Sequence, residues 1–302
     1  MAEYRFITYE LLDDGRIARI TMNRPKYRNA QNRTMLVELN DAFLAAERDD
    51  AVRVVIFAGA GEVFSSGHDM GTPDRAAERE PGPDMHPSFI GDGNSREGAE
   101  KRMLGEWHHF FQNTLRWRNL RKITIAQMQG TSFAAGLMLA WACDLITASD
   151  DAQFVDPVGV RLGMCGVEYF AHPWEFGPRR AKELLLTGEA VTAQEAYQRG
   201  MVSKIFSRAE LAEKTLEYAR LIAQRPTMTA LLIKESVNQA QDNMGFYNAL
   251  QAAFTLHQLN HAHWAEIHED KAPRASAADG AIRPAGMKSP PAPVPSGNGS
   301  QS

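Results

Sequence analysis

"TSFAAGLMLAWACDLITAS", residues 131–149, decides how the chain is read. It opens on small residues, Ala134, Ala135 and Gly136, continues with helical spacing, and ends in the β-branched run "DLITAS". Small residues where a helix begins let its free N–H groups approach a ligand closely. The stretch carries no acid before Asp144. If chemistry happens here, the group that moves protons must come from elsewhere in the chain.

Working outward, "VRVVIFAGA" (52–60) and "ITIAQMQG" (123–130) are apolar runs that read as buried strands, as does 144–149. Residues 5–12 and 16–22 read as two strands joined by "DDG", a hairpin signal. A helix is predicted from Asn32, because Met35, Leu36, Leu39, Ala42, Phe43 and Ala46 recur at three- and four-residue steps. Alternating strands and helices imply an α/β fold with parallel strands and crossover helices. Residues 71–100 are rich in Gly, Pro and charge and read as a long loop of the kind that forms lids. Helical spacing returns over 103–118, with Trp107, Phe110, Phe111 and Trp117 suited to a core or to a cover over a ligand. Thr192 and Glu195 form a capping box, and Gly200 suits the far end of that helix. A short strand "MVSKIF" and helices near 209–226, 227–242 and 246–268 follow. From Lys271 onward the composition of Pro, Ala, Gly and Ser predicts a disordered tail. The expected division is a core over 1–205, a helical region over 206–270 and a tail over 271–302.

Composition narrows the function. Hydrophobic residues make up 44% and charged residues 23%, ordinary for a globular protein. A net charge of -4, with 33 scattered Lys and Arg, argues against nucleic acid as a partner. No apolar run is long enough to cross a bilayer, and the N-terminus lacks the apolar core of a signal peptide. Cys143 and Cys165 are too few for a disulfide framework, so a reducing cytoplasm is expected. Cys143 sits in an apolar run and reads as a buried hydrophobe; Cys165 lies in a loop where nothing local marks a nucleophile.

A second stretch, "VFSSGHDM" (63–70), follows the strand at 52–60. Gly67 lets the backbone turn so that the next amide, that of His68, is exposed. Two strands thus each end in a glycine-containing turn with small neighbours. In a parallel sheet, ligands collect at the carboxyl ends of the strands. Two convergent N–H donors there would make an oxyanion hole, suited to an enolate or a tetrahedral oxyanion. Ser65, Ser66 and His68 invite a hydrolase reading, but no G-x-S-x-G elbow occurs.

"NRPKYRNA", "FSSGHD", "GTSFAAGLMLAWACDLITASDDAQF" and "LLLTGEAVTAQEAYQRGMVSKIF" together resemble the successive signatures of the enoyl-CoA hydratase/isomerase, or crotonase, superfamily. The resemblance runs from about residue 5 to about residue 268. It implies a spiral of ββα units with a helical C-terminal region, assembled as a homotrimer or a dimer of trimers. It implies an acyl-CoA thioester as ligand, with coenzyme A part of the substrate and no separate cofactor. It places the thioester oxygen between the N–H groups of His68 and Ala135, with Ser66, Gly67, Asp69 and Ala134 around them. Ala134, Ala135 and Gly136 stand where the family often has three glycines. Lys26 and Arg28 fall where the family carries basic residues near the coenzyme A phosphates. The His68 imidazole is expected to line the channel, and Asp69 to brace its turn.

The resemblance fails at two acids. A hydratase of this family uses two glutamates to place and deprotonate water. The corresponding positions here are Met138 and Val158, neither of which accepts a proton. The loop "GMCGVEYFAHPWEFG" (163–177) offers Glu168, Tyr169, His172 and Glu175 instead. Beside Phe170, Trp174 and Phe176, a desolvated Glu168 would have its pKa raised toward neutrality, as suits a general acid or base. Alternatively Glu168 pairs with Arg161 and only shapes the loop. Asp156 and His172 rank behind Glu168. The expected function is that of an acyl-CoA enzyme working through an enolate. Isomerisation, thioester hydrolysis, carbon–carbon cleavage and plain acyl-CoA binding remain open beside hydration.

His257 and His261 are four apart, the spacing of two metal ligands on one helix face. With no H-E-x-x-H pattern and no acid placed nearby in sequence, His257, His261, His263 and His268 are read as helix surface or subunit contact. No metal is expected.

Overall fold

A computed structural model describes residues 3–78, 98–165 and 168–267. Strands β1 (Ile7–Leu12) and β2 (Ile17–Met22) form the antiparallel hairpin the sequence signals. Its turn has Asp13, Asp14 and Gly15 all at positive φ, which matches the right-handed twist of the flanking strands. β3 (Val54–Gly59), β4 (Ile123–Met128), β6 (Leu145–Ser149) and β9 (Lys204–Phe206) then add in parallel, in the order β1-β2-β3-β4-β6-β9. A smaller sheet holds β5 (Thr131–Phe133) parallel to β7 (Gln153–Val155), with β8 (Val191–Thr192) antiparallel to β7.

The helices among the described residues are α1 (Arg33–Arg48), α2 (Pro73–Ala77), α3 (Gly98–Glu106), α4 (Asn113–Arg118), α5 (Ala135–Trp141), α6 (Val158–Leu162), α7 (His172–Phe176), α8 (Pro178–Thr187), α9 (Ala193–Arg199), α10 (Leu211–Ala223), α11 (Thr227–Asn243) and α12 (Phe246–Ile267). A π-helical segment, Trp107–Gln112, joins α3 to α4. Two starts are capped as their sequences predict: Asn32 accepts from Met35 N, and Thr192 from Glu195 N. The loop reading of 163–177 needs correction, because Pro173 sits in the first turn of the short helix α7. The expected lid at 71–100 contains α2 and the start of α3, and its middle, 79–97, lies outside the described residues, as do His268 and the tail.

Alternation along the central strands sends side chains to two cores. Val55 and Phe57 join Met35, Leu39, Phe43 and Trp117 on one face; Val54 and Ile56 meet Ala219 and Ala223 of α10 on the other. Phe57 packs edge-on against Phe43 and Phe64, with ring centroids 5.4 and 5.2 Å apart. Each large apolar side chain buried this way contributes roughly 1.5–3 kcal/mol. The consequence for function is a fixed floor. The chain leaving β3 is pinned at Phe64, whose N–H donates to Gln129 O, so it lies against the chain leaving β4.

Candidate active site

The two turns picked out in the sequence converge. Ser65 O accepts from Phe133 N at 3.1 Å, and Gly67 O accepts from Gln31 N at 2.8 Å. Gly67 has φ +83, and a Cβ built on it would lie 2.9 Å from Phe133 O and 3.5 Å from Ala135 N. The backbone at Gly67 therefore touches the start of α5 directly, and only glycine permits both the approach and the dihedral. Gly136 is equally tight against Ser65, where a Cβ would come within 2.7 Å of its carbonyl oxygen. Among the described residues, neither His68 N–H nor Ala135 N–H has a hydrogen-bond partner, whereas their neighbours Asp69 N and Ala134 N donate to Gln31 O and Val155 O. Unpaired main-chain donors are rare in folded proteins unless they serve a ligand. Ala134 turns the chain with φ 42, a left-handed value that is strained for any residue with a Cβ.

Glu168 lines the same pocket and meets the His68 side chain. Its Oε1 lies 2.9 Å from His68 Nε2, and the His68 ring stacks on Phe110 with centroids 3.9 Å apart. The sequence left open whether Glu168 pairs with Arg161; the structure pairs it with His68. It also reverses the expected pKa. Burial alone would raise the Glu168 carboxyl, but the neighbouring His68 charge and hydrogen bond outweigh it and hold it down at about 2. The other carboxylate oxygen, Oε2, is buried and has no hydrogen-bond partner among the described residues. Phe170 and Trp174 pack against the core nearby, as their apolar surfaces require.

A cavity of about 1590 Å³ collects these groups. Among the described residues it is lined by Arg28, Ser66, His68, Asp69, Ala134, Ala135, Val158 and Glu168 from the sequence reading, joined by Phe110, Arg161 and Arg208. Five expected lining residues are not there: Gly67, which only turns the backbone toward α5, and four more. Lys26 is exposed outside the cavity, with its ammonium over the Tyr27 ring. Met138 is packed into the apolar core, 2% exposed. Asp156 and His172 are fully buried against each other, His172 Nε2 to Asp156 Oδ2 at 3.0 Å, and Asp156 Oδ1 accepts from Val158 N. They hold the segment before α6 to the first residue of α7 instead of facing substrate. Asp69 braces its turn as expected, accepting from Gly71 N, Thr72 N and the Thr72 hydroxyl, and pairing with the buried Arg24. Burial opposes its ionised form, but these donors prevail and keep its pKa below the ordinary value.

The thiols fit inert roles. Burial pushes Cys143 up to about 12. Cys165 is exposed, and desolvation followed by the Asp156 and Glu168 charges raises its pKa too, so it stays protonated.

Sequence reasoning missed one constellation. His257 and His261 do not sit on a bare helix surface. His257 is buried, and Glu106, at the junction of α3 and the π segment, meets both rings: His257 Nε2 lies 3.0 Å from Glu106 Oε2 and His261 Nδ1 3.4 Å from Glu106 Oε1. All three line the cavity beside Glu168. The spacing of the histidines was visible; their acid is separated from His257 by 151 residues.

Comparisons with known proteins place the chain in a family. A family described as "Enoyl-CoA hydratase/isomerase" matches residues 13–86 and 93–274. A Mycobacterium tuberculosis protein named "Putative enoyl-CoA hydratase EchA13" is 63% identical over 265 residues, covering 88% of this chain and 83% of that one. A "4-chlorobenzoyl coenzyme A dehalogenase-2" of an Arthrobacter species is 30% identical, covering 84% of this chain and 86% of its own. Among solved structures, one described as "a probable ENOYL-COA Hydratase from Mycobacterium Smegmatis" superimposes with a TM-score of 0.76 at 41% identity, covering 87% of this chain and 97% of that chain. The family match, the sequence identity and the shared fold agree, and the chain belongs to the enoyl-CoA hydratase/isomerase family.

Proposed function

We propose that the protein shifts a proton on an unsaturated acyl-CoA, an isomerisation through an enolate. The thioester oxygen lies between His68 N–H and Ala135 N–H. Glu168 Oε2 takes the proton from the carbon α to the carbonyl. The electron pair moves into the enolate, whose negative oxygen the two amides stabilise, and Glu168, after exchange with solvent, returns a proton at the far end of the π system. One carboxylate suffices for that exchange, whereas adding water needs a second group to position it, and Met138 and Val158 supply none. The observation that carries the reading is the buried, unpartnered Glu168 Oε2 held next to the residue that supplies one oxyanion donor. His68 keeps the carboxylate ionised at neutral pH, so the base is in its reactive form when substrate arrives. Around this centre, Arg28, Arg161 and Arg208 supply positive charge suited to coenzyme A phosphates. The exposed apolar side chains of α11, Met228, Leu232, Ile233 and Val237, support self-association into trimers. No described helix is long and apolar enough to cross a membrane, and the paucity of cysteine supports a cytoplasmic location.

The test uses 3-enoyl-CoA and 2-enoyl-CoA esters in deuterated water. The reading expects deuterium entry at the α-carbon and interconversion of the two esters, with negligible 3-hydroxyacyl product. Efficient hydration of a 2-enoyl-CoA with no interconversion of the two esters would overturn it.

A further inference from the structure

We propose that Glu106, His257 and His261 form a binding site for a divalent transition-metal ion of the zinc type, in the cavity wall next to Glu168. Their ligand atoms all lie within 4.8 Å of one another, and the Glu106 carboxylate meets His257 Nε2 through Oε2 at 3.0 Å and His261 Nδ1 through Oε1 at 3.4 Å. Donors on a tetrahedral zinc, with bonds of about 2.0–2.2 Å, stand roughly 3.3–3.6 Å apart. Small side-chain shifts therefore bring the three donors onto one ion. The donor types agree: two imidazoles and one carboxylate suit Zn²⁺ and its neighbours, not Mg²⁺ or Ca²⁺.

The local fold presents these donors for a reason. His257 and His261 lie on successive turns of α12, their ring centroids 4.3 Å apart. Packing of Phe254 against Phe111, centroids 4.7 Å apart, holds this face of α12 against the π segment that begins just after Glu106. A π-helical turn inside an α-helix is frequently found at a functional site, where it re-aims a side chain. Gln258 Nε2 donates to Glu106 Oε2 at 3.1 Å and orients the carboxylate, as an outer partner of a metal ligand does. Arg102 also lines this wall and opposes a cation; Glu106 and Glu168 offset it. Three protein ligands leave at least one position open toward the cavity. An ion there would take an oxygen or nitrogen atom of the acyl group, and would give this pocket a preference for polar acyl chains.

The experiment titrates the full-length, tag-free protein with Zn²⁺ by calorimetry and with Co²⁺ by visible absorption, and measures thermal unfolding in parallel. The expected result is one ion per chain, a tetrahedral-type Co²⁺ spectrum, and a Zn²⁺-dependent rise in melting temperature. His261→Ala, at a partly exposed position that tolerates truncation, should weaken binding by more than the about 10- to 100-fold that losing an outer partner costs. Glu106→Gln should do the same if it folds. Absence of saturable binding, or binding unchanged in His261→Ala, would show that the cluster is only a hydrogen-bonded brace between α3 and α12, and would overturn the proposal.

Discussion

Between Ser65 and Gly136 the pocket is made of main chain, clamped by backbone hydrogen bonds and by glycines that leave no room for a side chain. Beside it, Glu168, Glu106 and His257 form a wall of side chains drawn from a loop and two helices; Glu168 reaches His68 over 100 residues of sequence, and Glu106 reaches His257 over 151. The first region derives its chemistry from where the backbone goes. The second derives it from which side chain stands at each place. A donor built from an amide survives most substitutions at its own position, so His68 and Ala135 can vary as residues while their N–H groups keep the same task. An acid–base group has no such freedom, because its task is tied to one side chain.

Substitutions on each side should separate the two. The largest effect is expected for Glu168→Gln, which keeps the shape of the wall and removes the base. Turnover should fall by about 10²–10⁴-fold, with acyl-CoA binding retained. Unchanged turnover would mean that the chemistry belongs wholly to the cradle. Gly67→Ala is the matching change on the main-chain side. The added Cβ meets Phe133 O at a position of φ +83, and the amide of His68 must shift. A drop of about 10²–10³-fold in turnover is expected, as for the loss of one oxyanion donor, together with a lower melting temperature.

Two smaller effects concern folding. Desolvation pushes the carboxyl of Glu175, in α7, up to about 8. A raised carboxyl pKa costs stability as pH rises from the ordinary glutamate range through the folded value. Glu175→Gln should therefore stabilise the protein by roughly 1–3 kcal/mol at pH 9 and by nearly nothing at pH 4, read by denaturant unfolding at both. Glu168 has the opposite sign. Its stabilisation is complete above the ordinary carboxylate range and is lost as pH falls from about 4.5 toward about 2. The smallest effect is Ala134→Gly. Relief of a strained φ and the added freedom of the unfolded chain oppose each other, and a net gain of at most about 1 kcal/mol is expected in the unfolding free energy. A loss larger than that would show that the Ala134 methyl contributes packing the cradle needs.

The cradle was legible in the sequence because its evidence is local. A strand followed by small residues and a glycine can be seen within a window of ten residues, and the hairpin turn, the α1 core stripe and the caps at Asn32 and Thr192 are of the same kind. The wall was legible only in part. Glu168 stood out because two hydratase acids were missing, but its pKa came out with the wrong sign. Aromatic neighbours in its own loop argued for a raised value, and the imidazole that lowers it comes from the turn after β3. Asp156 and His172 looked reactive for the converse reason: chain proximity to the loop hid that each satisfies the other in the core. Glu106 carried no local mark, since an acid at the end of a helix is common, and only the packing of α12 brings it to the histidines.

The interlock of Gly67 and Gly136 with the carbonyls facing them has a historical consequence. Positions with no volume to spare resist substitution, so the main-chain cradle is the fixed part of the pocket. Reactive groups in the wall beside it face no such restriction and can be discarded or reinvented one at a time. A lineage built on this plan is free to trade one transformation for another without ever rebuilding the place where its substrate docks.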